Sequence, residues 1–79
     1  MAYDSYMKIR VLAVAKMLCE GKRLSTDKIL ERLQREYGIS ADRKTIMSDI
    51  VAIDRFLPIS AKSGKYGGYK RYNPFKEAE

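Results

Sequence analysis

Seventy-nine residues with 46% hydrophobic content make a single folded domain, small enough that its core is marginal and every apolar stripe has to be used. The chain has no histidine and one cysteine, Cys19, which excludes an internal disulfide, a Cys/His zinc site and any His-based catalytic arrangement. The net charge of +6 is one-sided: residues 1–42 hold 8 cations and 6 anions, whereas residues 43–76 hold 8 cations against Asp49 and Asp54 alone, a balance that suits a polyanion better than a membrane surface.

The first predicted helix covers residues 6–20. Val11, Leu12, Val14, Ala15 and Leu18 are expected on its buried face, Gly21 is its stop, and Lys8 and Arg10 are expected on the solvated side. Cys19, beside Leu18, reads as a small core hydrophobe, and a reducing cytoplasm is the compartment that fits it. The run from Val11 to Cys19 is interrupted by Lys16 and too short to cross a bilayer, and Asp4 breaks any signal-peptide pattern.

A second helix is predicted over 25–37. Ser25 is its N-cap, Asp27 sits in the favourable first turn, and Leu24 is placed to staple onto Ile29. Ile29, Leu30, Leu33 and Tyr37 make its buried side. The other side, with Lys28, Glu31, Arg32, Arg35 and Glu36, is balanced in charge, and Glu31 and Arg35 are spaced for an i, i+4 pair. Gly38 ends the helix, and Ile39 is expected to plug the angle to the next one.

The third helix, predicted over 42–57, organises the rest. Ile46, Ile50, Ile53 and Leu57 recur at steps of four, three and four, which stacks them on one face. Asp42 is the N-cap, and Pro58 closes the far end. The opposite face carries Arg43, Lys44, Met47, Ser48, Val51 and Arg55. A helix rolled into place by its buried stripe, with cations and hydroxyls on its first turns, is what a DNA major groove accepts. Beyond Pro58 the period becomes alternating, with Ile59 and Ala61 inward and Ser60 and Lys62 outward. Residues 63–68 supply turn chemistry and Tyr69–Tyr72 a second short strand. The expected fold is therefore small α+β, mainly α: a winged helix-turn-helix with a three-helix core and a two-stranded hairpin wing over 58–73.

Leu24–Leu33 (LSTDKILERL), Glu36–Ile50 (EYGISADRKTIMSDI), Gly67-Gly68-Tyr69 and Asn73-Pro74-Phe75 resemble the N-terminal winged helix of WYL-domain transcriptional regulators, related to the DeoR-type helix-turn-helix. The resemblance covers roughly Arg10 to Glu79, and its most specific piece is Tyr37-Gly38-Ile39 followed by Ala41–Ile46. It implies a homodimeric regulator in which a larger ligand-sensing domain follows; residues 74–79 resemble the start of the connecting helix, and any effector would bind that further domain. Members commonly carry Tyr-Arg where this chain has Met47-Ser48, Arg71 stands at a usually apolar place, and Leu30 at one often taken by alanine.

The function expected is sequence-specific binding of double-stranded DNA, with no catalytic, cofactor or metal residues. Arg43, Lys44, Thr45 and Ser48 are the major-groove candidates and Met47 is suited to a thymine methyl. Ser25, Thr26 and Lys28 would meet phosphate at the second helix, and Lys62, Lys65 and Tyr66 would follow the backbone or minor groove from the hairpin tip. Each has a plainer alternative: Thr45 as support for the helix start, Ser48 as neutral surface, Tyr66 as cover for the hairpin edge. Asp49 reads as an ion-pair partner inside the domain, since a carboxylate near phosphates is repelled. The rival function is a winged helix used for protein–protein contact or dimerisation through the hairpin, Met47 and Val51. RNA binding lacks an interleaved aromatic platform, and catalysis lacks a paired acid and base.

Overall fold

A computed structural model of the protein describes residues 2–64 and 67–72, with side chains from Tyr6 onward. Three helices and a two-stranded antiparallel hairpin follow one another along the chain. They are α1 (Ala2–Leu18), α2 (Thr26–Arg32, continuing as a π-helical turn over Leu33–Tyr37), α3 (Arg43–Asp54), β1 (Ile59–Lys62) and β2 (Gly68–Arg71). The three helices enclose a single core, against which both strands pack. The expected small α+β, mainly helical architecture is present. Lys65 and Tyr66, and the linker expected over residues 74–79, lie outside the described residues.

The isoleucine stripe of α3 forms the centre of that core, with Ile46 fully buried and Ile50 and Ile53 nearly so. Asp42 caps the helix as its spacing requires, its carboxylate accepting from the Thr45 amide at 2.8 Å. The far end differs from expectation. Regular helix stops at Asp54, three residues before Leu57, and the chain tightens through Phe56 N–H to Ile53 O (2.9 Å) and Leu57 N–H to Ile53 O (2.8 Å). Asp54 then accepts from the Ile59 amide at 2.8 Å, so its side chain spans Pro58 and starts β1. The proline acts over a whole turn and not over a single residue.

On α1 the buried stripe is Ala13, Val14, Met17 and Leu18, whereas Leu12 is 68% exposed and Cys19 is exposed. Of the residues expected there, Val14 and Leu18 are buried and Val11 and Ala15 half-buried against the core; Leu12 is the one that faces out. With residues 10, 13, 14, 17 and 18 facing inward, position 12 falls well off that face. Cys19 lies past the last helical residue, where Leu18 already fills the core position. Arg10 is likewise not solvated. It meets Asp49 of α3 through Nε–Oδ2 at 2.7 Å and Nη2–Oδ1 at 2.9 Å, with side-chain exposures of 14% and 7%. Asp49 is thus paired inside the domain, as anticipated, and the hydrogen bond to it raises the Arg10 pKa.

In the second helix Ile29 and Leu33 are fully buried and Leu30 half-buried, but Tyr37 is 39% exposed. Residues in the wider π turn advance by a smaller angle, which takes Tyr37 off the stripe shared by Ile29 and Leu33. Gly38, at φ 67°, turns the chain back; its amide reaches Gln34 O and that of Ile39 reaches Leu33 O, both at 3.1 Å. The left-handed residue delivers Ile39, 2% exposed, into the angle between the helices.

Candidate functional site

The hairpin is fastened by the link between α1 and α2. Leu24 exchanges both backbone hydrogen bonds with Tyr69, its N–H to Tyr69 O at 2.8 Å and Tyr69 N–H to Leu24 O at 2.7 Å. Beside it, Arg23 donates from Nη1 to the carbonyls of Ser60 and Gly68 (3.1 and 3.2 Å) and from Nη2 to the Ser60 hydroxyl (3.0 Å). A Cβ on Gly68, whose φ is 136°, would overlap the Leu24 carbonyl, so the contact requires glycine there. Ser60, expected outward, is consequently half-buried, and Ala61, expected inward, is exposed. The strands pair Ile59 with Arg71 and Lys62 with Gly68, leaving Tyr69 against the core and Tyr72 44% exposed.

This fastening sets the hairpin tip beside the starts of α2 and α3. Together they form an open groove of about 520 Å³ lined by Ser25, Thr26, Asp27, Arg43, residues 61–64 and residues 67–69. Four of the expected contact residues, Ser25, Thr26, Arg43 and Lys62, are brought together in it. Ser25 is the N-cap of α2, accepting from the Lys28 amide at 3.2 Å. Lys28 points elsewhere along the helix, with Nζ 3.5 Å from Glu31. The expected Glu31–Arg35 pair is formed at 3.4 Å.

Lys44, Met47 and Ser48 lie exposed on α3, and Thr45 is half-buried at its start. Asp42's carboxyl is held below its ordinary value first by the Thr45 amide and then by the Thr45 hydroxyl, so that residue's bonds are directed to the helix start. Arg43 is engaged as well. Its Nε and Nη2 meet Asp27 at 3.1, 2.7 and 2.8 Å, joining the first turns of α2 and α3. Arg23, Leu24, Asp27 and Gly68 were not singled out from the sequence as residues shaping this groove. Their partners lie 16 to 45 positions away, beyond the reach of any local pattern.

Electrostatically the groove is mixed, with Arg43 and Lys62 opposed by Asp27 as the one acid among its described lining residues. Among the described residues no cluster of acids, histidines or cysteines is arranged to hold a metal ion, and no helix is long and apolar enough to cross a membrane. Comparisons with protein-family models, with curated proteins and with solved structures find no match to this chain.

Proposed function

We propose that the chain is a winged helix-turn-helix domain that binds double-stranded DNA in a sequence-specific manner as part of a transcriptional regulator of the WYL or DeoR-like kind. In this reading α3 enters the major groove with Arg43, Lys44, Ser48 and Met47 toward the bases. Ser25 and Thr26 meet a phosphate, and Lys62 follows the backbone or minor groove from the wing. The observation that carries it is the convergence of the α2 start, Arg43 at the α3 start and the hairpin on one groove, with Lys44, Met47 and Ser48 exposed on the same helix as Arg43. The excess of cations after residue 42 supports it from the charge side. A homodimer on two half-sites, cytoplasmic, with any effector bound by a further domain, completes the proposal.

Selection from random duplexes tests it directly. An enriched motif is expected, and Arg43→Ala with Lys44→Ala should lower affinity for that motif about tenfold or more while the far-ultraviolet spectrum is unchanged. No enrichment, and equal affinity of wild type and variant for every duplex, would remove the recognition helix from the account.

A second reading has its own observation. Met47 and Val51, one turn apart on α3, are 51% and 66% exposed, apolar side chains suited to a protein partner or a second copy of the chain. Binding to polyanion at physiological salt separates the two, since a contact surface for protein would leave that affinity negligible.

A further inference from the structure

Asp27 and Arg43 form an ion pair with side-chain exposures of 69% and 67%, and a pair this open to water contributes little to folding. Its geometry is more informative. Asp27 takes the guanidinium by its side, through Nε and Nη2, and among the described residues Nη1 has no partner. The five N–H donors of a guanidinium are arranged so that a carboxylate on the Nε edge leaves the terminal end, with Nη1, available to a second acceptor pair. Guanine presents O6 and N7 to that end in the major groove.

We propose that Asp27 is a positioning residue for Arg43, holding its side chain in one orientation over the groove so that it reads a base instead of pairing with a phosphate. The proposal rests on the DNA-binding reading given above. Two effects of the same carboxylate act together. It removes the rotamer freedom that a long exposed side chain would otherwise lose on binding, and its negative charge repels phosphate oxygens at the place where an unrestrained arginine would seek them. Both favour the cognate duplex over a random one. The sequence signal was ambiguous because an acid in a helix's first turn is already explained by the helix dipole.

The test is a double-mutant cycle on the full chain, reading affinity for the selected motif and for a random duplex of equal length. Asp27→Ala should tighten random-duplex binding and reduce the ratio of cognate to random affinity about tenfold, with Asp27→Glu restoring part of it and the melting temperature little changed. In an Arg43→Ala background, Asp27→Ala should leave the ratio as it is. A wild type that prefers no sequence would overturn the DNA reading itself. If the wild type discriminates, an Asp27→Ala ratio equal to wild type, or an equal fall in the ratio with Arg43 already removed, overturns the positioning role and leaves DNA binding standing.

Discussion

At the scale of single residues, the Arg10–Asp49 pair ties α1 to the helix that carries the candidate contacts. Both ends are largely withdrawn from water and hydrogen-bonded twice, so removing one partner strands the other in a poor solvent. Arg10→Ala is expected to cost about 3 kcal/mol in urea denaturation, whereas replacing both residues by apolar ones of similar size should recover much of that loss. The expectation for Arg10 failed because a basic residue at the edge of an apolar stripe looks solvated until its counter-ion, 39 positions later, is known. Asp49 was legible from charge alone: a carboxylate beside phosphates is repelled, which leaves an ion pair inside the domain as its use, whichever cation supplies it.

At the scale of elements, the legible features were those written in short-range spacing. The Ile46–Ile50–Ile53 ridge, the caps at Ser25 and Asp42, and the plug at Ile39 each follow from a few adjacent residues. The end of α3, the π turn and the face of α1 were less legible, since they depend on how a neighbouring element receives them. Arg32 shows such a joint. It binds Glu20 at 2.7 Å and Glu36 at 3.0 Å, fastening α2 to the end of α1, and its hydrogen bonds hold both carboxyls below their ordinary value of 4.5. Folded-state values below the unfolded one mean that this contribution is complete above about pH 4.5 and is lost as pH falls through the folded values. Stability measured by denaturant should therefore decline below about pH 4.5, and Glu20→Gln should flatten that decline while lowering the plateau slightly. The exposure of the carboxylates keeps the effect small.

At the scale of the whole molecule, the fastened hairpin brings Lys62 to the same groove as Arg43, and that groove is the candidate binding side. Lys62 is exposed at the end of β1; in the proposed DNA-binding reading a phosphate contact there would add affinity without choosing a sequence. Lys62→Ala should weaken binding to cognate and random duplexes alike and reduce the slope of log affinity against log salt by about one; an unchanged slope would take the hairpin out of the interface. Charge asymmetry was readable directly from composition. The groove was not, because it depends on the Leu24–Tyr69 bridge and on Arg23, pairings that no local pattern announces.

Leu24 is at once the strand neighbour of Tyr69 and the residue immediately before the cap of α2. One residue thus serves two elements, and the width of the groove follows from where it joins them, with Arg23 bracing the strands beside it.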